Sequence, residues 1–268
     1  MRILLTNDDG IYADGLQALR EVLQRSPGLQ VWVVAPDRER SASSHAITLH
    51  KPLYVNEVKL PGATVPMWSI NGTPADCTKI GVCALLPERP DLVISGINRG
   101  YNLGTDVLYS GTVSAAIEGV ILGIPSIAVS LAAEHADYSF AAQFVEHLVQ
   151  TFRRRGISAR ETLLNINIPA LDAEHIAGVA VTSLSHRRYE NTFIRRVDPR
   201  GRAYYWMAGE LLTLDHDEDT DVGALSRNMV SLTPLHLDLT HRPMQEELKE
   251  WLPDLNQLVT GDSSPQAT

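Results

Sequence analysis

Two neighbouring acidic side chains directly after a short apolar run are the feature of the chain best suited to chemistry. Asp8 and Asp9 follow residues 2–6, Arg-Ile-Leu-Leu-Thr, and precede Gly10. The run predicts a buried strand, so at least one carboxylate is expected to be partly buried. Neighbouring buried carboxylates repel each other and favour a bound proton or a bound cation. Because hard cations prefer oxygen ligands, the pair predicts a site for Mg²⁺, Mn²⁺ or Ca²⁺, although Asn-Asp-Asp-Gly is also a favourable turn.

Two further loops carry oxygen donors that suit the same cations. Residues 35–45 follow a second apolar run and are rich in hydroxyls, including that of Ser41. Residues 95–104 contain Asn98, whose side chain offers a neutral oxygen, among glycines that permit unusual backbone conformations. This second loop matches neither the dinucleotide-binding glycine pattern nor a P-loop. For the first loop, an ordinary solvated serine-rich segment is the alternative interpretation.

The start of a predicted helix provides a candidate phosphate site. Ser110, Gly111 and Thr112 supply two hydroxyls and exposed N–H groups where the helix dipole is positive. Ordinary N-capping by Ser110 or Thr112 explains the same residue types equally well. The segment therefore indicates a phosphate site only if it lies beside the acidic pair.

The elements that must position these residues alternate between strand and helix, which is typical of an α/β fold with a mostly parallel sheet. In such a sheet, loops at the carboxyl ends of the strands share one edge, where ligands bind. The segments before residue 160 are predicted as strands at 2–6, 30–35, 46–59, 66–70, 91–95 and 125–130, and as helices at 15–25, 74–86, 112–123 and 138–153. Thr73 and Pro74 predict the start of the second helix, as N-cap and first helical residue.

Beyond residue 160 the pattern changes, and it predicts an added module. We expect one domain over residues 1–259, with a tail at 260–268 that lacks the apolar residues needed for order. The expected parts are strands at 162–168, 178–183 and 229–234, a core covering about 1–184 and 222–240, a protruding hairpin at about 185–207, and a terminal helix at about 243–252.

Together, a hard-metal site and an anion site on one sheet edge predict metal-assisted hydrolysis of a phosphate ester. In this hypothesis Asp8 or Asp9, with Asp8 preferred, orients or deprotonates the nucleophile. A phosphatase that forms an aspartyl-phosphate on one of these acids is an alternative, although such enzymes favour Asp-x-Asp over adjacent acids. A non-catalytic, metal-dependent nucleotide sensor is a second alternative.

Composition limits the partners and the compartment. The 268 residues include 23 basic and 32 acidic side chains, which gives a net charge of −9 at pH 7. A broad nucleic-acid or anionic-membrane surface is therefore not expected. Cys77 and Cys83 fall on different faces of a predicted helix, which argues against a disulfide between them. The start of the chain is too short in apolar residues for a secretory signal, so we expect a cytoplasmic protein.

Seven ordered motifs resemble those of the SurE survival-protein family. They run in order over nearly the whole chain, from residue 1 to about 252. The motifs are Thr-Asn-Asp-Asp-Gly at 6–10, Ala-Pro-Asp-Arg-x-Arg-Ser at 35–41, Gly-Thr-Pro-Ala-Asp-Cys at 72–77, Ser-Gly-Ile-Asn-Arg-Gly at 95–100, Tyr-Ser-Gly-Thr-Val at 109–113, Asn-Ile-Asn-Ile-Pro at 165–169 and Ser-Leu-Thr-Pro-Leu at 231–235.

The resemblance implies a 5'/3'-nucleotidase that removes phosphate from nucleoside monophosphates, with activity on short polyphosphate, and that uses one divalent metal ion per subunit. It implies a Rossmann-like three-layer core and a homodimer or homotetramer whose subunits exchange the hairpin and the terminal helix. It places the metal on Asp8, Asp9, Ser41 and Asn98, and the phosphate on Asn98, Ser110, Gly111 and Thr112.

Overall fold

The computed structural model describes residues 1–131, 137–156, 162–189, 192–209, 211–213 and 217–260. Its centre is a nine-stranded sheet with helices on both faces, which confirms the predicted α/β class with a mostly parallel sheet. The strands of this sheet are β1 (Arg2–Thr6), β2 (Gln30–Pro36), β3 (Val55–Glu57), β4 (Met67–Ile70), β5 (Leu92–Arg99), β6 (Ser126–Leu131), β7 (Leu163–Ile168), β8 (Gly178–Val181) and β13 (Met229–Leu235). The helices are α1 (Asp14–Arg25), α2 (Pro74–Ile80), α3 (Gly111–Ile121), α4 (Ser139–Arg155), α5 (Asp221–Ser226) and α6 (Arg242–Thr260).

The first strand shows why the apolar runs become central strands. Side chains alternate between the faces of a strand, and a central strand of a covered sheet must be apolar on both. Ile3 and Leu5 pack in the core cluster that also contains buried residues of α1 and α4, whereas Leu4 packs in a second cluster with Cys77 of α2. All three apolar side chains are fully buried. The two clusters correspond to the two interfaces of a three-layer sandwich.

The strand order places a ligand crevice beside β1. The order is β3-β4-β2-β1-β5-β6-β7-β13-β8, and within the described strands of this sheet only the pairs β3–β4 and β7–β13 are antiparallel. The chain continues from β1 to β2 on one side and later returns to β5 on the other side, so the order reverses at β1. Ligands of open α/β sheets bind at such a reversal, outside the carboxyl ends of the strands.

Several predicted bounds are corrected by the structure. The strand predicted at 91–95 continues to Arg99 as β5, so residues 96–99 belong to a strand rather than to a loop. The strand predicted across 46–59 is present only at Val55–Glu57. The helix predicted at 74–86 ends at Ile80 and continues as a π-helical turn, Gly81–Leu85. Its predicted start is confirmed, because Thr73 is the N-cap, Pro74 is the first helical residue, and Thr73 and Asp76 form a reciprocal capping box.

The region after residue 185 forms a longer hairpin structure than predicted. Strands β10 (Thr192–Val197) and β11 (Ala203–Ala208) pair antiparallel, and β9 (Arg187–Tyr189) pairs antiparallel with β12 (Leu211–Thr213). The paired strands therefore extend beyond the predicted end at 207.

The chain forms two compact units, Met1–Leu235 and His236–Thr268. The second unit contains α6, which is longer than the predicted helix at 243–252 and continues through Pro253. Of the predicted tail at 260–268, Thr260 ends this helix and the remainder lies outside the described residues. Within the described ranges, the chain has no helix long and apolar enough to cross a membrane.

Candidate functional site

Asp8 is a buried carboxylate at the carboxyl end of β1. Its side chain is 4% exposed, and its Oδ1 accepts a hydrogen bond of 2.5 Å from Thr112 Oγ1 of α3. Burial raises the pKa of Asp8 to about 6, and the charge of Asp9 adds to this effect, while the hydrogen bond from Thr112 opposes it. A buried carboxylate with a neighbouring carboxylate is the electrostatic arrangement that favours a cation.

Asp9 is held by the backbone at the end of β5. Its Oδ2 accepts a hydrogen bond of 3.0 Å from the backbone N–H of Arg99. Burial raises the pKa of Asp9, the nearby carboxylate of Glu39 raises it further, and the backbone N–H and the charge of Arg99 act in the opposite direction. Asp9 therefore contacts the end of β5, and Asp8 contacts α3.

A bulge in β5 brings Asn98 to this edge of the sheet. The pairing of β5 with β6 shifts register between Ser95 and Asn98. Gly96 makes the bulge possible, because its φ is +139° and a Cβ there would lie 2.4 Å from the carbonyl oxygen of Val129. Asn98 Nδ2 donates to the carbonyl of Gly100 at 2.8 Å, which fixes the amide and leaves Oδ1 without a hydrogen bond among the described residues.

The loop after β2 approaches the same acids. The backbone N–H of Arg40 donates to the carbonyl oxygen of Asp8 at 2.7 Å, so the adjacent Ser41 lies at the end of β1. Ser41 is exposed, and its hydroxyl donates to Glu39 Oε1 at 2.7 Å. Ser41 and Asp9 are thus both associated with the carboxylate of Glu39.

The far end of this loop is attached to the segment leading into α3. The backbone N–H of Ser44 donates to the carbonyl of Tyr109 at 3.1 Å, and the Ser44 hydroxyl donates to the carbonyl of Leu108 at 2.8 Å. His45 Nε2 lies 2.9 Å from Oε2 of Glu118, a buried carboxylate on α3. The hydroxyl-rich loop is therefore held against the helix whose N-terminus faces Asp8.

The N-terminus of α3 faces the acid pair directly. Ser110 is the N-cap, and its Oγ accepts a hydrogen bond of 3.1 Å from the backbone N–H of Val113. A Cβ on Gly111 would lie 2.9 Å from Asp8 Oδ2, so only glycine permits this approach. In the described part of the chain, the backbone N–H of Gly111 makes no hydrogen bond. Ser110 thus performs ordinary capping, while Gly111 and Thr112 line a cleft beside a carboxylate.

The donor set at this edge fits a hard cation. The described residues contain no group of three or more His, Cys, Asp and Glu side chains that could hold a metal, so a thiolate or multi-histidine site is not formed by them. The available donors are two carboxylates, the Asn98 amide oxygen and the Ser41 hydroxyl. All four are hard oxygen donors, which suit Mg²⁺ and Mn²⁺.

Residues that the sequence interpretation did not single out form a cavity next to Asp9. The cavity has a volume of about 270 Å³. It is lined by Asp9, Tyr12, Ala13, Asp14, Gly15, Glu39, Arg99 and Tyr138. Burial raises the pKa of Tyr138, and the charge of Asp9 adds to this effect. Arg99 is part of a quoted motif and Glu39 occupies the unspecified position of another, whereas Tyr138 has no signal in the sequence that links it to residue 9.

Comparisons with known proteins show which family the chain resembles. Residues 3–191 match the family model described as Survival protein SurE. The chain is 54% identical over 250 residues to the 5'-nucleotidase SurE of Symbiobacterium thermophilum, covering 93% of this chain and 97% of that one. It is 56% identical over 253 residues to the 5'-nucleotidase SurE of Moorella thermoacetica, covering 94% and 96%. A crystal structure of the SurE protein from Aquifex aeolicus superposes with a TM-score of 0.79 at 40% identity, covering 93% of this chain and 99% of that one.

Proposed function

The chain belongs to the Survival protein SurE family, and from this membership we propose that it is a 5'-nucleotidase. The proposed reaction is hydrolysis of nucleoside 5'-monophosphates, and of 3'-monophosphates and short polyphosphate as further substrates. One structural observation carries the proposal. The buried Asp8 after β1 meets the N-terminus of α3, and the partly buried Asp9 lies beside it, so that cation donors and anion donors occur in one cleft.

The proposed metal ligands are Asp8, Asp9, Ser41 and Asn98, which would hold one divalent cation per subunit. Mg²⁺ or Mn²⁺ is the proposed ion, with Ca²⁺ as an alternative occupant. The unused Oδ1 of Asn98 and the raised pKa values of both acids support this assignment. When bound, the cation supplies a Lewis acid that offsets charge on the phosphoryl oxygens and activates water.

The proposed phosphate ligands are Asn98, Ser110, Gly111 and Thr112. The unused N–H of Gly111 supports this role, because it is a first-turn donor at the positive end of the helix dipole. Such donors are fixed before substrate arrives, so they stabilise developing charge on the equatorial oxygens without reorganisation. The hydroxyl of Thr112 also donates a hydrogen bond to Asp8 and thereby orients its carboxylate.

Asp8 is the proposed proton acceptor for the attacking water. The water oxygen attacks phosphorus, its proton passes to the carboxylate, and the bond from phosphorus to the nucleoside oxygen breaks, so that the nucleoside oxygen leaves and takes up a proton from water. The position of Asp8 at the carboxyl end of β1, where Thr112 fixes its Oδ1, supports this role.

The hairpin and the terminal helix are the proposed contacts of a homodimer or homotetramer. Exposed apolar side chains on β10 and β11, among them Phe193, Trp206 and Met207, support this proposal. Light scattering after gel filtration tests it, and a monomer at micromolar concentration would contradict it. A cytoplasmic setting is also proposed, which agrees with the free thiols of Cys77 and Cys83.

Phosphate release from a panel of nucleoside monophosphates, with Mn²⁺ and with a chelator, tests the proposed function. Asp8→Asn and Asn98→Ala are expected to lose most of the activity at saturating Mn²⁺, whereas Asp172→Asn removes an exposed carboxylate elsewhere and serves as the matched control. Near-normal rates in either site variant would contradict the assignment. Absence of metal-dependent phosphate release from the wild type would contradict the function itself.

A further inference from the structure

The hydroxyl of Ser43 is a buried polar group that the fold does not use. Ser43 Oγ is inaccessible to solvent and has no hydrogen-bond partner among the described residues. It lies in the loop after β2, between Ala42 and Ser44, whose φ angles of 52° and 50° are both left-handed. Burying a hydroxyl without a partner is costly, so such groups in folded proteins call for an explanation.

This hydroxyl faces the cleft between α3 and the acid pair. A Cβ on Gly111 would lie 3.1 Å from Ser43 Oγ and 2.9 Å from Asp8 Oδ2, so both oxygens border the same small space at the helix N-terminus. The backbone N–H of Gly111 also lacks a hydrogen bond within the described ranges. Two unused donors, one from the loop and one from the helix, therefore lie beside one buried carboxylate.

The loop does not need the Ser43 hydroxyl to keep its position. Its attachment comes from Ser44, through the hydrogen bonds to Tyr109 and Leu108, and from His45 through Glu118. The backbone thus presents Ser43 to the cleft while the neighbouring residues provide the anchoring. The Ser44 hydroxyl therefore holds the loop, and the Ser43 hydroxyl on the adjacent residue is available to a ligand.

We propose that Ser43 is a phosphate-binding residue whose hydroxyl donates a hydrogen bond to a phosphoryl oxygen of the substrate, beside the N–H of Gly111. The proposal rests on the nucleotidase function proposed above and adds a donor to its phosphate site. A phosphoryl group has several charged oxygens, and a hydroxyl approaching from the loop can reach one that the helix N-terminus does not. Ser43 differs in this role from Ser41, the proposed cation ligand of the same loop.

The test compares Ser43→Ala with Ser41→Ala and Ser44→Ala in two binding measurements on the full-length protein. Titration calorimetry with inorganic phosphate in excess Mg²⁺ reports the phosphate site. The electron paramagnetic resonance signal of free Mn²⁺ reports the cation site. Ser43→Ala is expected to weaken phosphate binding by about tenfold to a hundredfold, since it removes one hydrogen bond to a charged group, and to leave Mn²⁺ affinity unchanged. Ser41→Ala is expected to weaken Mn²⁺ binding, and Ser44→Ala is expected to weaken phosphate binding less than Ser43→Ala does.

Three results would overturn the proposal. The first is unchanged phosphate affinity in Ser43→Ala. The second is a loss of Mn²⁺ affinity in Ser43→Ala that matches the loss in Ser41→Ala, which would make Ser43 part of the cation site. The third is a loss of phosphate affinity in Ser44→Ala as large as that in Ser43→Ala, which would show that the measurement reports loop attachment and not a phosphate contact. If the Mg²⁺-loaded wild type binds no phosphate, the proposed function itself fails, which is a separate outcome.

Discussion

The hydrogen bond between Thr112 and Asp8 provides a quantitative test of the electrostatics at the site. Thr112→Val replaces the hydroxyl by a methyl group of similar shape, so the buried Asp8 Oδ1 loses the donor at 2.5 Å. Thr112 is fully buried and Asp8 is 4% exposed, so water does not readily replace the lost partner. A hydrogen bond to an ionised buried group contributes about 1.5 to 3 kcal/mol to the free energy of unfolding.

The size of this loss is expected to depend on pH with a definite sign. The Thr112 hydroxyl lowers the pKa of Asp8, which is about 6 in the folded wild type, so the variant's pKa lies higher. The pKa in the unfolded chain is the same for both proteins. Below pH 5 both folded proteins carry a protonated Asp8, and the loss falls to about 1 kcal/mol, as for a neutral hydrogen bond. The loss then increases as the pH rises through the folded pKa and reaches its full value near pH 8.

Urea unfolding of the metal-free protein in chelator, at pH 4.5 and at pH 8, measures the loss in free energy of unfolding and its dependence on pH. Thr112→Ser is the matched control, because it keeps the hydroxyl and removes only a methyl group. We expect Thr112→Val to be less stable than Thr112→Ser at pH 8, and we expect this difference to be smaller at pH 4.5. Equal stability of the two variants at pH 8, or a difference that does not change with pH, would refute the reasoning.

Three further outcomes follow from the same site. Asp8→Asn in chelator is expected to gain stability relative to the wild type by about 2.5 kcal/mol between pH 4 and pH 8, because the folded pKa of about 6 exceeds the ordinary 3.8. Urea unfolding at both pH values measures this gain, and a difference that does not change with pH would disprove it. Gly96→Ala is expected to weaken Mn²⁺ binding and to destabilise the fold, because its Cβ would lie 2.4 Å from the Val129 carbonyl at a φ of +139°; thermal unfolding and Mn²⁺ titration like those of the wild type would contradict this. Acid-quenched single turnovers are expected to yield no phosphorylated peptide containing Asp8 or Asp9, and mass spectrometric detection of one would favour an aspartyl-phosphate intermediate.

The strand bounds show what local patterning predicts well. Apolar runs such as residues 2–6 become β1 because a strand covered on both faces must be apolar throughout. Thr73 and Pro74 begin α2 because capping involves only residues three apart. These features depend on neighbours in the chain, so the residues themselves carry the information. The terminal helix predicted at about 243–252 is longer in the structure, where it spans Arg242–Thr260 and contains Pro253.

The sequence by itself determined the fold class, the strand that precedes Asp8 and Asp9, and, through ordered motifs, the family. Only the tertiary structure decided which side chains share the cleft. Thr112 meets Asp8 across 104 residues of chain, and the Arg99 backbone meets Asp9 across 90. The bulge at Gly96 and the orientation of Ser43 likewise depend on neighbouring strands and on α3. Such contacts arise from sheet order and close packing, which no local pattern of residues encodes.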